Sequence, residues 1–204
     1  MTKKHQEDLS HIRSMMERSS MFISLSGLSG VFAGISAIVG AGFALNILDN
    51  NGINYFDDNQ IVLDQNIIFQ LLGIAVLVLI SAISFGIFFT ARKSMKNNLP
   101  IWTTATKNML LNLAIPLLVG GVFCLALYLQ RYFGLIAPAT LLFYGLALIN
   151  AEKYTLTDIK YLGYCELILG CISLFYIGMG LVFWVIGFGL LHIVYGLIMY
   201  KKHK

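Results

Sequence analysis

Glu166 and His192 are the ionisable residues set deepest in the apolar runs of this chain. Glu166 sits in Gly163-Tyr164-Cys165-Glu166-Leu167-Ile168, and His192 interrupts Gly189-Leu190-Leu191-His192-Ile193-Val194. A carboxyl and an imidazole are groups that exchange protons near neutral pH once their surroundings tune them. In hydrocarbon an ionisable side chain is costly, and by default it marks a functional site with a partner. At 1.5 Å per helical residue, Glu166 lies ~9 Å beyond Lys160 and His192 ~13 Å before Lys201.

Four uses of this pair compete. A Glu–His hydrogen bond could lock two helices together. A proton- or substrate-handling site is the second. A metal site would have to recruit Cys165 and Cys171, which flank Glu166 without a ligand spacing, so no metal is expected. In the fourth, Glu166 reaches back to the membrane surface. Asn112, Tyr164 and Tyr195 are the further polar residues that could join a substrate- or proton-handling site, with Tyr144 and Asn150 beside them. Asn112 lies five residues past Lys107, in the same half as Glu166, so the two could line a polar cavity. The plainer use is interhelical hydrogen bonding, which contributes about 0.6 kcal/mol per bond.

The elements that must position these groups are transmembrane helices. Of 204 residues, 58% are hydrophobic and 12% charged, against about 25% charged in a soluble domain. Six apolar windows approach the ~20 residues that span a bilayer: about 21–47, 67–90, 105–129, 133–150, 160–177 and 180–200. Together they predict an all-α six-transmembrane-helix bundle over residues 21–200, with a basic tail at 201–204. Pro116 should kink the third window. The third span can begin near Pro100, since proline suits a first helical turn.

Residues 1–20 read as a short amphipathic helix, with Leu9, Ile12 and Met16 on one face, lying on the cytoplasmic headgroups. This segment is too charged for a cleavable leader. Alternating topology puts 13 of the 14 Lys and Arg on one side, with Arg131 alone on the other. By the positive-inside rule both termini are cytoplasmic and the acidic 48–66 loop is outside. That loop carries Asp49, Asp57, Asp58 and Asp64 but lacks a calcium-loop pattern. The net charge of +4 clusters beside spans, so it implies lipid headgroups and no nucleic acid. Cys124, Cys165 and Cys171 fall inside spans, and packing is their expected role.

Two packing patterns stand out. In the first span Ser26, Gly30, Ala33, Ala37, Gly40 and Ala44 form a seam of small residues, and Gly30 with Gly34 makes a GxxxG pair. Small residues allow the close backbone approach that helices need when water supplies no driving force. The seam serves either the centre of its own bundle or a partner, a membrane protein or a second copy. The even spans end alike, at Phe85-Gly86-Ile87, Tyr144-Gly145-Leu146 and Tyr195-Gly196-Leu197, each before basic residues. Three helical hairpins in parallel repeat would explain this. So would the abundance of glycine and aromatics in spans.

The stretch from Met15-Met16-Glu17-Arg18-Ser19-Ser20 to Gly30 resembles the start of an uncharacterised family of small multi-spanning inner-membrane proteins of Bacteroidota. Gly187-Phe188-Gly189-Leu190-Leu191-His192-Ile193-Val194-Tyr195-Gly196 resembles their last span. The resemblance implies a bacterial inner-membrane location and assigns no site residues.

Motifs for nucleotide, zinc-hydrolase or serine-hydrolase chemistry are missing, as is a second buried histidine for haem, so no cofactor is expected. The favoured expectation is a membrane-embedded interaction, accessory or sensor module, which leans away from an enzyme. The alternatives are a transporter or channel using the Glu/His pair, and a lipid- or quinone-modifying enzyme.

Overall fold

The computed structural model describes residues 26–53, 64–98, 100–155 and 158–202. The amphipathic segment 1–20 and most of the acidic loop lie outside the described residues. Among those residues the chain is all-α. Helix α1 runs Gly27–Asn50, α2 Gln65–Lys96 and α3 Thr104–Leu129. Helix α4, Ile136–Ala151, is entered and left through single 3-10 turns, and α5 covers Ile159–Ser173. The last rod is continuous: α6 Gly180–Trp184, a π segment Val185–Leu191 and α7 His192–Lys202.

Five of these helical stretches are long and apolar enough to cross a membrane: Gly27–Asn50, Gln65–Lys96, Thr104–Leu129, Phe133–Tyr154 and Ile177–Lys202. The chain is a multi-pass membrane protein. Helix α5 is the exception. Its 15 residues reach only ~22 Å at 1.5 Å per residue, short of a ~30 Å hydrocarbon core. The 160–177 window therefore ends early, in a turn at Leu174–Tyr176.

Local chemistry moves two other boundaries. Helix α3 starts at Thr104, not at Pro100, because Thr103 and Thr106 make a reciprocal capping box that satisfies the first N–H groups. Helix α2 continues past Arg92 to Lys96, since nothing breaks it before Asn97-Asn98, and Lys93 and Lys96 complement its C-terminal dipole.

Two helix ends share one geometry. At α1, Ile53 N–H bonds Leu48 C=O and Gly52 N–H bonds Asp49 C=O, with Gly52 at φ +71°. At α3, Tyr132 N–H bonds Leu127 C=O and Arg131 N–H bonds Tyr128 C=O, with Arg131 at φ +64°. Both are Schellman ends, whose left-handed position is usually glycine. Arg131 fills it at the steric cost of its Cβ against the following carbonyl, about 1–2 kcal/mol for an L residue.

The small-residue seam of α1 is used inside the fold. Cβ atoms added at Gly30 and Gly34 would lie 3.2 Å from His192 O and 2.5 Å from Gly189 O, and one at Gly196 2.6 Å from Gly27 O. Gly27, Gly34, Ala37, Gly40, Ala41 and Ala44 are buried, while Ala33 and Ser26 are half-buried at the edge. Gly40 abuts Val78 of α2 on the other flank. The Gly27–Gly34 part of the seam thus faces the chain's own C-terminal rod, and its Gly40 part faces α2.

Helices α4 and α5 form a second tight pair. Gly145 and Gly163 meet backbone to backbone, and Gly170 abuts Leu142. Gly86, the repeat counterpart of Gly145 and Gly196, has nothing near it. Gly145 and Gly196 each meet a glycine carbonyl of another helix, and Gly86 does not; α5 packs chiefly on α4 while α7 packs on α1. Helix α2 is peripheral. Its phenylalanines Phe85 and Phe89 sit on Phe32 of α1, at ring distances of 5.2 and 4.9 Å.

One end of the bundle is tied by polar contacts. Asn150 Nδ2 donates to Asn112 O at 2.8 Å, Lys160 pairs with Glu152 at 3.3 Å, and Lys202 with Asp158 at 2.7 Å. The described Lys and the Arg92 side chain gather at this end, and Arg131 lies at the opposite one.

Two sets of variants test this packing by thermal unfolding in detergent. Gly34→Leu and Gly196→Leu should each lose roughly 1–3 kcal/mol or more by overpacking, whereas Gly42→Leu, with open space around it, should lose nothing. Arg131→Gly should raise stability by about 1 kcal/mol or less, because relief of the left-handed backbone is partly offset by a looser unfolded chain.

Candidate functional site

Helix α5 presents one buried stripe: Ile159, Leu162, Gly163, Glu166, Gly170 and Ser173. Helical spacing therefore turns Glu166 inward among small and apolar neighbours. Its carboxyl is fully buried. It lies against Gly187 of the π segment and Leu141 of α4, where a Cβ on Gly187 would come within 2.5 Å of both Glu166 Oε2 and Leu141 Cδ2. Only glycine leaves room for the carboxyl.

The π segment ends at His192, the first residue of α7. Its wider turn brings His192 Nδ1 to 3.0 Å from Gly187 O, five residues back, and His192 Nε2 to 2.8 Å from the Tyr144 hydroxyl. A carbonyl can only accept, so Nδ1 carries a proton and donates it to Gly187. In the neutral ring Nε2 then accepts from Tyr144; in the charged ring Nε2 donates and Tyr144 accepts. Glu166 Oε1 is 3.4 Å from Nδ1, within ion-pair range. The carboxyl nonetheless takes no hydrogen bond, because the Nδ1 proton points at Gly187.

Among the described residues four buried side-chain polar atoms lack a hydrogen-bond partner, and two of them are the oxygens of this carboxyl. The other two are the Ser173 hydroxyl two turns along the same stripe and the Tyr195 hydroxyl one turn past His192. Most buried polar groups in folded proteins are bonded, so a fully buried carboxyl with neither oxygen bonded calls for an explanation. Aromatic rings seal the site: Phe188 lies 5.0 Å from Tyr144, 5.8 Å from His192 and 5.2 Å from Trp184, centroid to centroid.

Of the site residues expected from sequence, Glu166 and His192 come together, and Tyr195 stands beside them. Tyr164 does not join: two residues from Glu166 on a helix, it faces outward and is 48% exposed. Asn112 does not line a cavity with Glu166 either. Its amide donates to Asn108 O at 2.8 Å and its carbonyl receives Asn150, so it knits α3 to α4. Cys165 and Cys171 also face outward, beside the stripe instead of on it, so the packing role expected of them is not theirs. Among the described residues no three His, Cys, Asp or Glu side chains converge as a metal set. Sequence reasoning placed Tyr144 only among secondary residues and passed over Gly187, Phe188 and the π segment. The signal available was Gly187-Phe188-Gly189, two glycines where a plain helix disfavours them.

No protein-family model, curated protein or solved structure matches this chain.

The geometry separates a structural lock from a proton site by stability alone. Removing one member of a true buried ion pair costs about 3–5 kcal/mol. Glu166 gives no hydrogen bond and both His192 nitrogens have other partners, so Glu166→Leu should keep or raise the unfolding midpoint in detergent. Gly187→Ala, which drives a methyl into the carboxyl, should lower stability by roughly 1–3 kcal/mol.

Proposed function

We propose that this protein is a proton-coupled membrane transporter for a small substrate, built as a six-span bundle with both termini cytoplasmic, in a bacterial inner membrane. In this topology α5 and the turn after it make the fifth crossing, and the C-terminal rod the sixth. The bias of Lys and Arg supports the orientation. The single observation that carries the function is the fully buried Glu166 carboxyl, unbonded and 3.4 Å from an imidazole whose other nitrogen meets Tyr144.

One proton has two seats in this cluster. On Glu166 it gives a neutral acid beside a neutral imidazole. On His192 Nε2 it gives an imidazolium, with Tyr144 as acceptor and the Glu166 carboxylate balancing the charge. Either form is net neutral, which is what a proton carried through hydrocarbon requires. Exchange with water needs the site to open. The π segment, with Gly187 and Gly189, is the non-α stretch beside the pair, and π turns recur at functional sites. The accessory-module reading drew on the α1 seam, and its glycines are taken up within the chain, Gly30 and Gly34 by the C-terminal rod and Gly40 by Val78 of α2. This shifts the balance toward proton handling.

The test is proton flux in liposomes loaded with a pH-sensitive dye, with an imposed gradient and a panel of small organic ions and neutral solutes. Wild-type protein should show substrate-dependent proton movement. Glu166→Gln and Tyr144→Phe should reduce it at least tenfold while eluting as folded protein. Flux that survives Glu166→Gln unchanged, or no flux across the panel, rejects the proposal.

A further inference from the structure

At the Arg131 end the two helical pairs part and leave a cavity of about 780 Å³. That size falls within the roughly 300–1,000 Å³ of small-molecule sites. Its walls are apolar: Ala41 and Ala44 of α1, Leu71 and Val78 of α2, Ala137 of α4, and Trp184 at its base. Helix α3 contributes only Tyr128, so the wall between α2 and α3 is left unbuilt.

Arg131 is the one charged residue of the lining. Its neighbours in polarity are the Tyr128 hydroxyl and Thr140, whose hydroxyl donates to Ala137 O and keeps its acceptor capacity. Among the described residues no ion pair engages Arg131, and Asp49 and Asp64 at the same end stand outside the lining. Arg131 also occupies a left-handed backbone position that glycine would hold without strain. Backbone strain of this kind is retained where the side chain is needed.

We infer that this cavity binds a single-chain anionic amphiphile, its acyl chain along Ala41, Ala44, Leu71 and Val78 and its carboxylate or phosphate monoester head on Arg131. Guanidinium forks bind either head bidentately. The chain enters through the gap between α2 and α3. This inference does not depend on proton transfer at Glu166.

The protein has two tryptophans, so Trp102→Phe leaves Trp184, at the cavity base, as the sole tryptophan, excited selectively at about 295 nm or longer wavelength. In nanodiscs of a zwitterionic lipid, brominated stearate should quench Trp184 saturably. Brominated stearyl alcohol should bind about tenfold more weakly, the difference one charge-assisted contact makes. Arg131→Gln should bring stearate down to the level of the alcohol. Ala75→Phe, at an exposed lining position that does not support the fold, should abolish saturable quenching by both. A brominated lysophosphatidate that outcompetes stearate supports the same site and assigns a phosphate head; the reverse order assigns a carboxylate. Quenching that rises linearly without saturation, or equal binding of acid and alcohol in wild-type protein, overturns the inference.

Discussion

The contact on which the arrangement rests is the approach of α1 to the C-terminal rod, glycine on glycine, closer than any Cβ would permit. Between lipid-bathed helices the favourable terms are dispersion and weak polar contacts, and both fall steeply with distance. Gly27, Gly30 and Gly34 on one side and Gly189 and Gly196 on the other remove the side chains that would hold the backbones apart. The contact also holds the rod at the π segment, through Gly189, and along α7, through His192 and Gly196. It therefore fixes where the extra residue of the π turn falls, and with it the direction of the His192 ring.

The second constraint is the buried carboxyl. Desolvating an ionisable group without hydrogen bonds is costly, and the fold does little to reduce that cost at Glu166. The nearest donor, His192 Nδ1, is committed to Gly187 O. Gly187 serves two purposes at once: its missing side chain makes room for the carboxyl, and its carbonyl diverts the imidazole proton away from it. A lock would do the opposite and aim that proton at Glu166. The arrangement leaves the acid free to gain and lose a proton without unmaking a bond that holds the helices.

Much of the scaffold was legible from the chain, because apolar length and small-residue spacing are local properties. The seam at Gly30 and Gly34 announced a close contact, but spacing on one helix does not name the element opposite, which proved to be the C-terminal rod from Gly189 to Gly196. The pairing of Glu166 with His192 followed from two rare residues facing one hairpin. Tyr144, 48 residues before His192, carried no signal beyond being a polar residue in a span. The early stop of α5 was hidden for another reason: Leu174, Phe175, Tyr176 and Ile177 are apolar, and hydropathy does not register a turn made of such residues. The apolar window at 105 lies one residue from the start of α3 at Thr104, whereas the start suggested by Pro100 gives way to the threonine cap at 103, whose reciprocal bonds residue type alone does not reveal. A cavity is harder still. It is made by the absence of contact between α2 and α3, and no residue in either helix encodes a neighbour it lacks.

Trp184 belongs to both halves of the molecule. It lines the cavity at the Arg131 end and lies 5.2 Å from Phe188, which touches Tyr144 and His192. Contiguity alone is not coupling; a coupled element needs two arrangements. What the structure shows is one arrangement, in which Trp184, Phe188, Tyr144 and His192 form a continuous aromatic row from the cavity lining to the imidazole beside the buried acid. The row places the two sites in contact through packed rings, and the π segment between Trp184 and His192 sets the spacing along it.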